Sequence, residues 1–293
     1  MRPVRALPRR LAGVLTGVLA VAIACAPPAS APSPRPVAVP DAPGMRDLLD
    51  APWTVRRPAG THTNAIQLSS ELVSRVDSVE STDSTTAAVS VTWTRLAGGE
   101  PARISGLVTD YRVGSAAAEP GPLAGLLVPV PFSAAEGRST TQAQLEVPPS
   151  AACSLAAAVL QAVRELFVSA PPRLVAGDTW SDSSTYAICR DSIPLEVRSA
   201  RLFRVIGAER RGNAAVVVLL DRTSTVTLRG EGTQFGEQVS IAAEGSGAMR
   251  LELNLESGAV VAARGDAELR MTMRGRRRSQ DLKQHTRIEI RAP

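Results

Sequence analysis

Aromatic residues are scarce in this chain, and the side chains that most often carry catalysis are scarcer. Aromatics make up 3% of the 293 residues, and the sequence has two histidines, three cysteines and a single lysine, Lys283. Neither His62 nor His285 has a second histidine or a cysteine at metal-ligand spacing. The lack of aromatics also argues against binding of single-stranded nucleic acid, which stacks on aromatic rings. We therefore expect no metal, no cofactor and no nucleic-acid partner.

Motifs of nucleophilic or phosphate chemistry are also lacking. A G-x-S-x-G elbow is absent, and Gly230-Glu231-Gly232 is not followed by a predicted helix. Three carboxylates, Asp178, Asp182 and Asp191, lie close together in sequence and could offer acid–base chemistry, but solvated turn residues are the better interpretation. The sequence predicts no catalytic residue, and a hydrolase-type enzyme using unassigned carboxylates is the alternative.

The N-terminus is typical of an export signal. An apolar run over residues 11–23, too short for a membrane span of about 20 residues, follows a positive start. That start consists of Arg2, Arg5, Arg9 and Arg10. The run ends in Ala22-Ile23-Ala24-Cys25, which resembles a bacterial lipoprotein signal, although that family usually has leucine where Ala22 stands. The resemblance implies cleavage after residue 24 and acyl chains on Cys25.

The same residues also fit an A-x-A site for the ordinary signal peptidase, which would give a secreted protein without lipid. In the lipoproteins that the signal resembles, aspartate after the cysteine marks retention in the inner membrane. Here Ala26 follows Cys25, so the resemblance implies the outer membrane, facing the periplasm. Residues 25–58 are rich in proline and are predicted to form an extended tether between the membrane and the domain.

Cysteine arithmetic predicts a disulfide. If Cys25 carries lipid, Cys153 and Cys189 remain as a pair in an oxidising compartment. A bridge between them would stabilise the fold by roughly 3–4 kcal/mol on the chain-entropy account. The alternative is that Cys153 is a small buried hydrophobic residue and that Cys189 is its chance neighbour.

One long helix is predicted, over residues 150–170, between two β-rich halves at residues 59–149 and 171–293. Apolar residues recur there at three- and four-residue steps, and Gln161, Arg164 and Glu165 lie outside the apolar stripe. The alanines favour a helix, and Pro171-Pro172 prevents its continuation past about Ala170.

Period-two alternation predicts β-strands on both sides of this helix. The predicted strands are 65–76, 87–94, 103–113, 127–132, 142–147, 187–190, 195–206, 214–221 and 223–228, followed by a meander from Met249 to Ile290. Residues 80–86 are predicted to be a turn, 127–132 an edge strand and 216–220 a central strand covered on both faces. In the meander, Glu252 and Glu256 are expected opposite Arg270 and Arg274.

These elements predict a mainly β domain at residues 59–293, in which a curved antiparallel sheet forms a half-barrel closed by the helix at about 151–170. A two-sheet sandwich is the alternative.

A turn with the sequence Gly177-Asp178-Thr179-Trp180 is predicted after the helix. Gly177 would allow a positive φ, Asp178 would cap the turn, and Trp180 would enter the core. At these residues the chain resembles exported bacterial lipoproteins that carry a G-D-x-W turn between two β-rich halves. More loosely, a curved sheet closed by a helix is similar to the clamp of lipoprotein carriers.

We expect a non-enzymatic, membrane-tethered envelope protein that acts as a binding or scaffold module. Its expected partners are the membrane, through the N-terminal lipid, and a hydrophobic ligand or another envelope protein. The sequence leaves the oligomeric state open.

Overall fold

Long β-strands make up most of the computed structural model, which describes residues 51–76, 79–96, 101–114, 116–117, 124–128, 162–190, 193–211, 215–234, 236–276 and 279–293. In chain order the strands are β1 (Trp53–Thr54), β2 (Gly60–Val76), β3 (Val79–Arg95), β4 (Pro101–Val113), β5 (Ala116–Ala117), β6 (Ala124–Val128), β7 (Arg173–Leu174), β8 (Thr179–Arg190), β9 (Ile193–Arg211), β10 (Ala215–Gln234), β11 (Glu237–Asn254), β12 (Val260–Gly275) and β13 (Ser279–Arg291).

All of the long strands belong to one curved, antiparallel, 11-stranded sheet. Its order is β5-β4-β3-β2-β13-β12-β11-β10-β9-β8, and β6 pairs with β4. The N-terminal strands join the C-terminal ones where β2 pairs with β13. A separate two-stranded sheet consists of β1 and β7. The mainly β prediction is therefore correct, and the sandwich alternative is not observed because no second large sheet is present among the described residues.

Several strands are longer than predicted because polar cross-strand pairs extend them. Residues 80–86, predicted to be a turn, lie within β3 and pair with β2 as far as Val76↔Val79. The hydroxyls of Ser74 and Ser81 lie 2.7 Å apart in this polar half of the hairpin. The two strands predicted at 214–221 and 223–228 are likewise one strand, β10. Residues 217–220 within it are all buried, as predicted for a central strand.

The register of the final meander differs from the predicted one. Glu252 lies opposite Ala262, and Arg270 lies opposite Glu244. The cause is the tight β11–β12 turn, in which the Gly258 N–H donates to the Asn254 carbonyl over 2.8 Å. This turn begins directly after Asn254, so Glu252 lies next to the turn in β11, whereas Arg270 lies ten residues beyond the start of β12 at Val260.

The inner face of the sheet is defined by a row of buried side chains that crosses seven strands. The row consists of Val205, Leu220, Leu251, Ala263, Ile290, Ile66 and Val89. It belongs to the main hydrophobic cluster, which also contains Trp93 and Phe203. A second cluster around Val197, Leu228 and Met271 lies farther along the same strands. Between the two clusters run rows of mostly polar or small residues, such as Ser224 opposite Gly247.

The prediction of one long helix over residues 150–170 is not supported: it agrees with the structure at residues 162–164 and is contradicted at residues 165–170. Only residues 162–164 are helical, and residues 150–161 lie outside the described residues. After residue 164 the chain forms a turn, in which the N–H groups of residues 165–167 donate to the carbonyls three residues earlier. The Phe167 carbonyl accepts a 3.0 Å hydrogen bond from Arg201 Nη2, and the Phe167 ring packs edge-on against Trp93 at 5.3 Å. Ala162, Val163 and Leu166 are nevertheless buried in the main hydrophobic cluster.

The edge strand predicted at residues 127–132 lies partly outside the described residues. Among the described strands, β6 pairs with β4 alone, in agreement with the predicted edge strand, but it covers Ala124–Val128 and residues 129–132 are not described. The predicted strand at 142–147 also lies outside the described residues.

Candidate functional site

Two arginines point into the apolar inner face of the sheet. Arg201 in β9 lies on the same face as Val197 and Phe203, and Arg222 in β10 lies directly opposite Phe203. The side chain of Arg222 is 4% exposed and that of Arg201 is 16% exposed. A buried guanidinium requires partners, because burial of an unpaired charge costs several kcal/mol.

Arg201 connects the edge of the sheet to the segment that follows the helical turn. Its Nε and Nη2 atoms donate to both carboxylate oxygens of Asp182 in β8, over 2.8 and 2.7 Å. Its Nη1 and Nη2 atoms also donate to the carbonyls of Arg164 and Phe167. Burial alone would lower the pKa of Arg201, but hydrogen bonding to Asp182 and the charge of Glu165 outweigh burial and raise that pKa.

Arg222 pairs with the carboxylate of Glu165. The distance from Arg222 Nη2 to Glu165 Oε1 is 2.8 Å, and Glu165 Oε2 lies 3.5 Å from Arg201 Nη1. For Arg222 the cost of burial exceeds the attraction of Glu165, so its pKa is lowered. Glu165 was predicted to lie outside the buried stripe, but its side chain is 9% exposed. We call Glu165, Asp182, Arg201 and Arg222 the inner-face ion cluster.

An aromatic ring and a third arginine border this cluster. The guanidinium of Arg164 lies 3.8 Å from the ring centre of Tyr186, a cation–π contact. Burial raises the pKa of Tyr186, and the charge of Arg164 opposes this effect. Burial also lowers the pKa of Arg164.

The chemistry of the inner-face ion cluster is that of a structural anchor. Each carboxylate is held by an arginine, and an arginine does not exchange its proton near neutral pH. The sequence favoured a solvated turn residue at Asp182. The structure instead places Asp182 in β8, where it binds Arg201 at two atoms. The cluster ties residues 164–167 to β8, β9 and β10.

The G-D-x-W residues form a turn that leads into β8. Gly177 has a φ of +88°, and its N–H donates to the Val205 carbonyl over 2.9 Å. A carboxylate oxygen of Asp178 accepts a 2.8 Å hydrogen bond from the Val175 N–H. The Trp180 ring stacks on Phe203 with centroids 5.1 Å apart. These contacts fix the direction in which β8 leaves the turn.

The other residues singled out in the sequence do not join this cluster. Cys25, Cys153 and Asp191 lie outside the described residues, and Cys189 is described only by its backbone in β8, opposite Pro194. The His62 ring packs against Trp93 with centroids 4.3 Å apart and a tilt of 31°, and His285 Nε2 lies 3.5 Å from an Asp266 oxygen. The described part of the chain contains no group of three or more His, Cys, Asp or Glu residues arranged to hold a metal ion.

Among the described residues, no helix is both long and apolar enough to cross a membrane.

Sequence reasoning missed Arg201 and Arg222 as buried residues, although a signal for them exists. Both lie at positions where the alternating pattern of the strand places apolar residues. Arg201 alternates in step with Leu195 and Val197, and Arg222 alternates in step with Leu220 and Leu228. A charged residue at a core-facing position of a strand predicts a buried ion partner. The partner itself could not be identified, because Glu165 comes from a distant segment.

Comparisons with known proteins leave the family open. No protein-family model matches this chain, and no curated protein matches it. Among solved structures, the chain is similar to an outer membrane channel from Pseudomonas putida F1, with 9% identity and a TM-score of 0.18, over 86% of this chain and 100% of that one. A likeness at this level carries no argument about fold or function.

Proposed function

We propose that the protein is a non-enzymatic module of the bacterial envelope, tethered to the membrane through Cys25 and acting as a scaffold or binding platform. The observation that carries this proposal is the filling of the inner face by the chain itself. The largest fully buried side chains include Trp93, Phe203 and Leu174. Leu174 and the helical turn at 162–164 come from the segment that leads to β8, and they pack in the main cluster.

A packed inner face favours a scaffold over a carrier. A carrier of hydrophobic ligands needs an apolar cavity that the ligand can occupy. Here Val163 and Leu166 of the same segment occupy the apolar inner face at 1% and 2% exposure. The fold we propose is accordingly a half-barrel in which residues 162–170 pack against the curved sheet from within.

The inner-face carboxylates are paired with arginines, which favours a non-enzymatic role. General acid–base catalysis requires a carboxyl group that can reach a substrate proton. Asp182 uses both oxygens for Arg201, and Glu165 Oε1 binds Arg222. The geometry suits anchoring of the segment better than proton transfer.

The tethered state is tested by replacing the proposed lipid anchor. The Cys25→Ser variant is expected to enter the soluble fraction, or to accumulate as uncleaved precursor, with an unchanged fold, because it lacks the thiol that would carry the acyl chains. Cys189→Ser is the matched control and should fractionate as the wild type does. Membrane fractionation and mass spectrometry of the N-terminus provide the readouts. A Cys25→Ser protein that is processed at the same site and remains in the membrane fraction would contradict the anchor.

A further inference from the structure

The described chain enters the domain at one end of the sheet, through residues 51–58. Trp53 and Val55 pack in the main cluster. The Val55 N–H donates to the Pro172 carbonyl over 3.0 Å, and the Arg56 N–H donates to the Leu255 carbonyl over 2.7 Å. We call this end, formed by residues 53–57, β7, the end of β3 and the 255–259 turn, the tether end. The proline-rich residues 25–50 join the domain here because they precede residue 51 in the chain.

The tether end carries more positive than negative charge. Its arginines are Arg56, Arg57, Arg95 and Arg173, and its acidic residue is Glu256. Four arginines and one glutamate give a formal net charge of +3. The ion pair between Arg56 and Glu256 is an exposed one, with side chains 69% and 67% exposed, so it contributes little. Nearby, Arg211 pairs with both Glu252, at 2.6 Å, and Glu209, at 2.5 Å.

Two of these arginines have no acidic partner in the described part of the chain. Arg95 donates to the carbonyls of Ser257 and Gly258, and Arg57 donates to the carbonyl of Ala170. Burial and the charge of Arg57 lower the pKa of Arg95 to about 10. The Nε atom of Arg95 is buried without a hydrogen-bond partner. A positive potential that is not neutralised locally attracts an anion from outside the domain.

We propose that the tether end is a docking surface for anionic phospholipid headgroups, and that it seats the domain on the bilayer to which the tether leads. The inference rests on the proposed membrane tether. A proline-rich segment spans about 3.1 Å per residue, so it keeps the domain near the bilayer but does not press it onto the surface. Basic side chains near an anionic bilayer attract its headgroups, and the attraction decays within the screening length.

The test separates this surface from the lipid anchor. The chain from residue 25 onward, carrying Cys25→Ser, lacks the proposed acyl chains, so its binding to vesicles must come from other groups. Vesicles of phosphatidylcholine alone are compared with vesicles that also contain phosphatidylglycerol, at low and at high salt. Co-sedimentation over a range of lipid concentrations gives the partition coefficient.

We expect the Cys25→Ser chain to bind only the vesicles that contain phosphatidylglycerol, and to release them in high salt. A further variant with Arg56→Gln, Arg57→Gln and Arg173→Gln should bind about a hundredfold more weakly, given the contribution of each basic residue near a charged bilayer. The matched control carries Arg75→Gln, Arg229→Gln and Arg274→Gln, three exposed arginines placed away from the tether end. The control changes the net charge equally and should lose far less binding.

Three results would overturn the docking surface: no binding to anionic vesicles, equal binding to uncharged ones, or equal losses in the two triple variants. Thermal unfolding checks that each triple variant is folded. Because Arg57 contacts the Ala170 carbonyl, the double variant Arg56→Gln with Arg173→Gln repeats the test without touching that contact. None of these results depends on whether Cys25 is acylated, which fractionation and N-terminal mass spectrometry measure separately.

Discussion

Arg222 shows how strongly a single buried charge depends on its partner. Its guanidinium lies in the main core, 2.8 Å from Glu165, with both side chains less than one-tenth exposed. Removing one member of a buried pair leaves the other charge uncompensated, whereas replacing both with apolar residues is often close to neutral.

We expect Arg222→Met to lower the free energy of unfolding by about 3 kcal/mol, the lower end of the range for broken buried pairs, because Arg201 remains 3.5 Å from Glu165. Urea denaturation measures this change. Arg229→Met, an exposed site on the same strand, should stay within about 0.5 kcal/mol of the wild type. Adding Glu165→Leu to Arg222→Met should restore much of the loss. An Arg222→Met protein as stable as the wild type would show that the pair does not anchor the segment.

His62 is expected to make the fold less stable in mild acid. Burial, and then the charge of Arg95, lower its pKa from 6.5. The unfolded chain therefore binds a proton more readily than the folded chain, so stability falls as the pH drops below about 6.5 and continues to fall until the folded-state pKa is reached. His62→Gln should show a shallower loss of unfolding free energy between about pH 7.5 and about pH 5. Identical slopes in the two proteins would exclude this role for His62.

At the scale of elements, two turns that each contain a glycine with a positive φ allow the cost of an added Cβ to be compared. Gly258 in the β11–β12 turn has a φ of +59°, and a Cβ there would lie 2.5 Å from the Arg56 carbonyl oxygen. Gly236 in the β10–β11 turn has a φ of +79°, with nothing within 4 Å of a Cβ. Alanine is strained at both sites, but only at Gly258 does it also meet the segment that enters the domain.

Gly236→Ala is expected to cost about 1 kcal/mol of unfolding free energy from backbone strain. Gly258→Ala is expected to cost a further 1–3 kcal/mol, roughly the cost of overpacking, because Arg56 and Arg57 must move. Urea denaturation of the two variants side by side gives the difference. Equal costs would mean that residues 56–57 do not pack on the β11–β12 turn as described.

The sequence predicted the strands best where apolar and polar residues alternate. The meander from Met249 and the buried core of β10 were identified because alternation or a continuous apolar run marks them. The polar half of β3 was read as a turn, since only pairing with β2 makes a run of Glu, Ser, Asp and Thr extended. Propensity for a strand depends on its neighbours, which a single sequence does not display.

In the segment at 162–170, distant contacts also limited prediction, in this case of a helix. Its alanines and apolar stripe favour a helix, but Arg201 takes the carbonyls of Arg164 and Phe167, and Trp93 holds the Phe167 ring. Both partners come from distant strands. The inner-face ion cluster was likewise beyond prediction, because the sequence marks Arg201 and Arg222 as unusual but does not identify Asp182 and Glu165 as their partners.

At the scale of the whole molecule, one sheet joins both halves of the chain, and residues 162–174 of the segment between them pack in the main hydrophobic cluster on its inner face. Residues 162–174 contact β3 through Trp93 and β9 through Arg201. A ligand carrier would have to move this segment, breaking the ion pairs of Glu165 with Arg201 and Arg222, before a hydrophobic molecule could enter the main cluster. The arrangement therefore favours a fixed scaffold over an opening clamp.

Native mass spectrometry of the protein extracted from its own membrane tests this central claim most directly. We expect the mass of the chain, with its acyl groups if Cys25 is lipidated, and no hydrophobic molecule retained in stoichiometric amount. Arg222→Met, which loosens the segment at 162–170, should not acquire or release such a molecule. A wild-type protein that carries one lipid per chain, and loses it in Arg222→Met, would show that the inner face is a binding cavity and would contradict the scaffold account.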